Sequence, residues 1–406
     1  MAPVPLPTAA ELVIAAETSA IVPRLQKFVA SLGAGREPAP DDPEARFVER
    51  WATAGGLVRL VKGRLVPVKK RAKLLNQPLE LWQRAFETFP SAAELLTDYG
   101  NWSRMFDTVS LTLYSAAGTP IPMLLLDGIV RAELATAYPF FGGLAEYVLG
   151  PDDLAAVLAM LEEQLGAVEI TETTDPAELA KISELAETDS PDGRLVRLTP
   201  IGLWALNASL REAGLAAPVA GDLAPEEIGT IYTVLGMSSP QVVEAELALW
   251  VKRRGPAVAA EEAAEFLRRA ASPSERFFSL LALAQAGDHG VAAGGRARSD
   301  GGVAGAVTTA WLVEQGAISA ESVTEAEGKL GMTDYFAAMH EQGMFLDALL
   351  ETAAENQAAL IGILVETEHP HRLDLLDALA AEHPDAKIAK KARKARLKVR
   401  SAGIQS

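Results

Sequence analysis

The sequence predicts a mainly α-helical protein in which winged-helix-like units with short β-hairpins precede a HEAT-like helical array. Three observations carry this expectation. Ala, Leu and Val dominate an apolar fraction of 49 %, while aromatics make up 6 %; Ala and Leu are strong helix formers, which favours packed helices over a β-sandwich. Apolar residues recur at helical spacing along most of the chain, with Pro or Gly between the runs. Strand patterning is confined to two short regions. At 406 residues the chain exceeds one hydrophobic core, so two or three domains are expected.

The first domain is expected over 1–150, a helical region with a basic hairpin. Residues 1–7 are proline-rich and read as loose. Thr8 to Leu32 reads as helix with a break near Pro23, and GAGREPAPDDP (33–43) as a linker. Leu57–Leu60 and Arg64–Val68 flank Lys62-Gly63, the pattern of a short hairpin. Helical pattern continues through Lys73, again from Leu79 to Phe89, and then toward Leu149.

A second, winged-helix-like domain is expected over 151–221. Pro151-Asp152-Asp153 is a helix start, with proline in the first turn and acids at the positive end of the dipole. Leu154, Val157, Leu158, Leu161 and Leu165 follow at helical spacing until Gly166. Ala167–Thr171 and Arg194–Leu198 read as strands on either side of a polar, acidic excursion. Thr199 then caps a helix with Pro200 in its first turn, running to Ala213. Leu57-Val58-Arg59-Leu60 echoes Leu195-Val196-Arg197-Leu198, which fits either a duplication or the common look of short amphipathic strands.

From 222 to 406 the chain reads as consecutive short helices: 225–236, 239–254, 257–271, 273–286, 303–316, 319–328, 332–354, 355–366, 371–381 and 384–400. Such a series is the material of α-solenoids. The stretch 286–306 is rich in Gly and is expected to be a mobile loop.

Three stretches carry a resemblance. Leu198, Thr199, Pro200, Gly202, Ala205 and Leu206 form a strand end and helix start of the pattern Leu-Thr-Pro-x-Gly-x-x-Ala-Leu. Thr308 to Gly316 is a matching form of an Ala-x-x-Trp-Leu-x-x-x-Gly helix, with Thr308 in the place of the Ala. The ending has His369-Pro370, a leucine helix from Leu373 to Leu379, His383-Pro384-Asp385, then Ala389-Lys390 and Ala392-Arg393-Lys394-Ala395. Together they resemble a family of uncharacterised helical proteins from actinobacteria. The likeness spans the last two thirds and, more faintly, 44–90, where Val61 and Lys62 stand in place of the Thr of a Thr-x-x-Gly turn. It implies a fold and an order of elements, and no activity.

No cysteine is present, so disulfides, thiolate metal sites and cysteine nucleophiles are excluded. The N-terminus has no basic region ahead of its apolar residues, and no apolar run is long enough to span a bilayer; a cytoplasmic protein is expected. Glu368-His369-Pro370-His371 and Glu382-His383-Pro384-Asp385 suggest metal ligands. About ten helical residues separate them, however, or ~15 Å, too far to share one ion, so each His-Pro is read as a helix start. GGRA (294–297) and DGG (300–302) lack the Lys and the spacing of a phosphate loop. No nucleophile elbow is found, and no acid–base pair stands out. The expectation is a non-enzymatic protein with no catalytic residue, no cofactor and no metal.

Two basic patches stand out on a chain of net charge -17. One is Arg59, Lys62, Arg64, Lys69, Lys70, Arg71 and Lys73. The other is Lys387, Lys390, Lys391, Arg393, Lys394, Arg396, Lys398 and Arg400, around an apolar stripe of Ile388, Ala392, Ala395 and Val399. Overall acidity disfavours wholesale wrapping by nucleic acid, whereas a local patch is compatible with contact to it. The helix ahead of the second hairpin, DDLAAVLAMLEEQLG, is acidic and would be repelled by DNA. The C-terminal patch fits a cap on the helical array, a nucleic-acid contact, or a dock for an acidic protein or anionic surface. Two functions follow as expectations: a scaffold that binds other proteins, or a DNA-associated regulator using the 59–73 hairpin and the 387–400 helix.

Overall fold

A computed structural model of the chain describes residues 1–38, 42–93, 102–137, 153–236 and 238–403. It is mainly helical, 69 % helix, with two small antiparallel sheets of two and three strands among the described residues. The chain divides into two compact units, Pro3–Val219 and Ala220–Ser406.

The first unit opens with α1 (Ala9–Thr18), α2 (Ile21–Ser31) and α3 (Pro43–Ala54). A reciprocal capping box starts α1: Thr8 Oγ1 accepts from the Glu11 N–H, and the Glu11 carboxylate accepts from the Thr8 N–H at 2.7 Å. The proline-rich start is tied down rather than loose. Val4 is buried, bridges Val219, and donates its N–H to the Pro218 carbonyl at 3.2 Å. Strands β1 (Val58–Val61) and β2 (Arg64–Pro67) pair around Lys62 and Gly63. Both turn residues have positive φ, 49° and 77°, as a two-residue turn matched to strand twist requires. Part of the expected linker joins them, since Arg36 exchanges backbone hydrogen bonds with Leu65. Residues 39–41 of that linker lie outside the described residues.

Helices α4 (Pro78–Ala93), α5 (Trp102–Ser115) and α6 (Met123–Ala137) follow, with β3 (Ile121–Pro122) just ahead of α6. Then come α7 (Asp153–Met160), β4 (Val168–Glu172), α8 (Pro176–Leu185), β5 (Arg194–Leu198) and α9 (Pro200–Glu212). Pro151 and Asp152 of the expected helix start lie outside the described residues. The sheet order is β3-β5-β4, with Val196 of β5 opposite both Ile121 and Ile170. A boundary at 150/151 would cut this sheet. The echo between 57–60 and 195–198 falls on non-equivalent strands, because β1 opens its hairpin and β5 closes its own. Trp51, Trp82, Phe86 and Phe89 anchor the core, and the two indole N–H groups donate to the carbonyls of Ala85 and Leu165 at 2.8 and 2.7 Å.

The second unit is a run of helices: α10 (Ile228–Leu235), α11 (Pro240–Arg254), α12 (Pro256–Arg269), α13 (Pro273–Gln285), α14 (Asp288–Arg298) and α15 (Gly302–Glu314). It continues through α16 (Glu325–Glu341), α17 (Phe345–Leu350), α18 (Ala354–Glu366), α19 (Arg372–Glu382) and α20 (Ala386–Gly403). The main packing partners of each helix lie within three places along the chain: α13 on α12 and α16, α15 on α14 and α16, α20 on α18 and α19. The helix expected over 332–354 is two, because the chain turns at Gly343 with φ 72°.

The expected Gly-rich mobile loop at 286–306 is instead α14 and the start of α15. Its glycines allow close helix approach. A Cβ on Gly290 would sit 1.8 Å from the Leu283 carbonyl oxygen, and one on Gly294 would sit 2.7 Å from the Trp311 ring. Glycine lowers helix propensity by about 1 kcal/mol relative to Ala, and here buried packing against α13 and α15 decides the conformation.

Candidate nucleic-acid interface

The first basic patch is built on the β1–β2 hairpin and two short 3₁₀ turns, Lys69–Arg71 and Leu74–Asn76. Val58 and Leu65 anchor the hairpin in the core, and Gln26 Nε2 donates to the Leu75 carbonyl at 2.7 Å behind the turns. Arg59, Lys62, Arg64, Lys69, Lys70, Arg71 and Lys73 are all exposed. Arg64 donates to the Gly35 carbonyl at 2.6 Å. Among the described residues, none of the seven pairs with a carboxylate. No Asp or Glu occurs from Trp51 through Leu79, and nearby Glu49 pairs with Arg36 at 2.9 Å. The result is a cluster of seven cations, none in an ion pair with a described residue, a source of positive potential on an acidic protein. Leu60, 60 % exposed, and Val61 stand at the hairpin tip beside it.

The second patch is divided. The stripe of Ile388, Ala392, Ala395 and Val399 on α20 is buried, as its spacing predicts. Arg396 and Arg400 both reach Asp377 of α19, at 2.5 and 3.0 Å. Arg393 donates to the Ala380 carbonyl at 3.2 Å, and Lys391 to the Ala358 carbonyl at 2.9 Å. Lys387, Lys390, Lys394 and Lys398 are exposed and make no side-chain pair with described residues. Four of the eight cations therefore bond to α18 or α19, two of them to a carboxylate, and all but the half-buried Arg396 remain exposed.

The segment ahead of β4 remains acidic. Glu162 is engaged in accepting the Ile170 N–H at 2.8 Å, and Glu163 is exposed. Phosphate would be repelled there.

The two His-Pro sites form one motif used twice. His369 Nδ1 accepts the His371 N–H at 3.2 Å, and His383 Nδ1 accepts the Asp385 N–H at 3.1 Å. A neutral ring that accepts through Nδ1 carries its proton on Nε2. Each Nε2 then faces a buried acceptor: Asp334 at 3.1 Å for His369, Gln357 at 3.2 Å for His383. Both imidazoles are thus spent as helix-start staples. No group of three or more metal-ligating side chains occurs among the described residues.

Sequence reasoning missed the partner of His369. Asp334 on α16 is buried, and Arg276 of α13 grips it through Nε and Nη2 at distances from 2.5 to 3.2 Å. Burial pushes the Asp334 carboxyl up, but the hydrogen bonds from His369 and Arg276 and the adjacent guanidinium charge outweigh it and hold the group below the ordinary carboxylate value. The available signal was an acid at the inward helical spacing between Gly331 and Ala338. No family model, curated protein or solved structure matches the chain.

Proposed function

We propose that this chain is a nucleic-acid-associated binding protein whose contact surface is the hairpin and turns of residues 59–73. The observation that carries the reading is the set of seven exposed cations with no carboxylate partner among the described residues. Cations already paired gain little from phosphate, whereas unpaired ones release counterions when they meet it. The order α5, β3, α6, α7, β4, excursion, β5, with β5 central in its sheet, supports reading 102–212 as winged-helix-like with an enlarged wing. The acidic segment 153–165 ahead of β4 makes it a packing or protein-contact module in this reading, and the basic hairpin the nucleic-acid element.

The test is binding to random duplex DNA across a salt series. Affinity is expected to fall steeply with salt. Changing Lys69, Lys70, Arg71 and Lys73 together to Gln makes the log–log slope shallower, by about 0.9 for each phosphate no longer neutralised. Changing Lys387, Lys390, Lys394 and Lys398 to Gln alters it less. Absence of binding at low salt, or a slope untouched by the hairpin changes, refutes the proposal. A second reading, a protein-interaction scaffold, is favoured by the run of consecutive helices in the second unit, an architecture that presents extended surfaces.

A further inference from the structure

Two cavities of about 420 Å³ each occur in the second unit and have wall residues in common. They share Phe277 and Leu281, an i, i+4 pair on α13. One is walled by Trp311, Met332 and Tyr335, the other by Tyr232, Met339 and Met344. Met332, Tyr335 and Met344 are 44 %, 43 % and 38 % exposed, so large apolar side chains stand open at both. Unbranched, polarizable methionine is suited to surfaces that repack around a ligand.

The charge of the site has one sign. Neither lining contains Lys, Arg or His, while Glu244 stands at one cavity and Glu314 at the other, where the lining Asp334 is already paired with Arg276. Burial raises the pKa of the Tyr335 hydroxyl, and Glu314 and Glu351 raise it further, in line with a negative potential at that mouth. A cationic, apolar-faced ligand is complementary to such a site, and an acidic one is repelled.

We propose that these adjacent hollows form a groove for a cationic amphipathic helix supplied by a protein partner. A helix repeats apolar side chains along one face at i, i+3, i+4 and i+7, so the face of one helix offers an anchor to each hollow while its Lys or Arg residues meet Glu244 and Glu314. This is recognition of a helix in a groove, read through i and i+4 anchors. The surface is independent of the nucleic-acid reading, since it lies wholly in the second unit.

The test uses the full chain and a fluorescein-labelled 18-residue peptide of Leu and Lys, with the leucines on one helical face. A Leu/Glu peptide of the same pattern is the counterpart, and binding is read by fluorescence anisotropy. The Leu/Lys peptide is expected to bind and the Leu/Glu peptide not to. Met332→Lys and Glu314→Lys each weaken binding by about tenfold or more, while Glu382→Lys, the same charge change at an exposed site lining neither cavity, leaves it near the parent value. Thermal melting checks that the variants remain folded. Equal weakening by Glu314→Lys and Glu382→Lys would mean attraction to net charge alone and would overturn the proposal, as would binding of the Leu/Glu peptide or no binding of either. Self-association of the chain in light scattering, abolished by Met332→Lys, would assign the groove to a second copy and equally overturn it.

Discussion

Asp334→Leu is the most informative single change in the second unit. The carboxylate is gripped by Arg276 at 3.0 and 2.5 Å and faces His369 Nε2 at 3.1 Å. Side-chain exposures are 11 % for Arg276, 1 % for Asp334 and 0 % for His369, so water cannot replace the missing carboxylate. Removing the acid strands a buried guanidinium, which costs about 3–5 kcal/mol. The companion double change, Arg276→Met with Asp334→Leu, removes both charges and leaves the His369 Nε2–H without an acceptor and the part-buried Ala270 carbonyl without its Arg276 donor. Its cost is expected to be about 1–3 kcal/mol. The double variant is thus expected to be more stable than the single one.

The assay is urea unfolding of the full chain by circular dichroism, with hydrogen exchange of the α13 and α16 amides to locate the weakened region. The acid titration gives a second reading. Because the Asp334 carboxyl is held below its ordinary value in the folded chain, its contribution is fully present above the unfolded value of about 4 and is lost as pH falls through the lowered folded value. The stability gap between parent and Asp334→Leu should therefore be constant from neutral pH to about 4 and shrink below it. A cost under about 1 kcal/mol for Asp334→Leu, or a double variant no better than the single, would refute the reasoning.

Four further outcomes are expected. Gly290→Ala lowers the melting temperature, because its Cβ meets the Leu283 carbonyl and overpacking costs about 1–3 kcal/mol. Gly295→Ala, with no atom within 4 Å of its Cβ, gains up to about 1 kcal/mol of helix propensity, so like behaviour of the two would defeat the packing account. Thr199→Ala costs about 1–2 kcal/mol in thermal unfolding, since the hydroxyl accepts from the Gly202 N–H at the start of α9 and donates to the Gly166 carbonyl at 2.6 Å. Burial raises the pKa of Glu246, the Gly221 N–H works against it and Asp222 with it. The parent therefore loses stability as pH rises through the ordinary carboxylate value toward the raised one, and Glu246→Gln is expected to flatten that loss in melts between pH 4 and 8.

What could be read from the sequence was local. The hairpin announces itself because Lys62-Gly63 both fixes the turn and separates two strand-patterned runs. The helix starts at Thr199-Pro200 and at the two His-Pro pairs are written in adjacent residues. Strand β3 could not be read, because two residues carry no periodicity and their partner Val196 lies 75 positions away from Ile121 in the chain. The glycines of α14 misled for a related reason. Their freedom suggests a loop when the sequence is read alone, and their lack of a side chain suits a tight helix contact once Leu283 and Trp311 are in place. Asp334 escaped notice because the residues that justify a buried acid, Arg276 and His369, are 58 and 35 positions distant.

The same distinction separates the two basic patches, which look alike in sequence. Both are runs of Lys and Arg around apolar residues, and composition ranks the C-terminal one first. What decides availability for a phosphate is the neighbourhood, and that is tertiary. On α20 the apolar stripe brings Arg396 and Arg400 over Asp377 and sets Arg393 and Lys391 against carbonyls, so docking the helix pairs two of its eight cations with a carboxylate. On the hairpin the apolar residues that enter the core are Val58 and Leu65, and the cations between and beyond them project where no described carboxylate reaches. A helix placed by its own bases trades charge for stability, whereas a hairpin placed by its apolar anchors keeps its charge for a partner. The 59–73 surface, with fewer cations in sequence, is therefore the stronger candidate for contact with a polyanion.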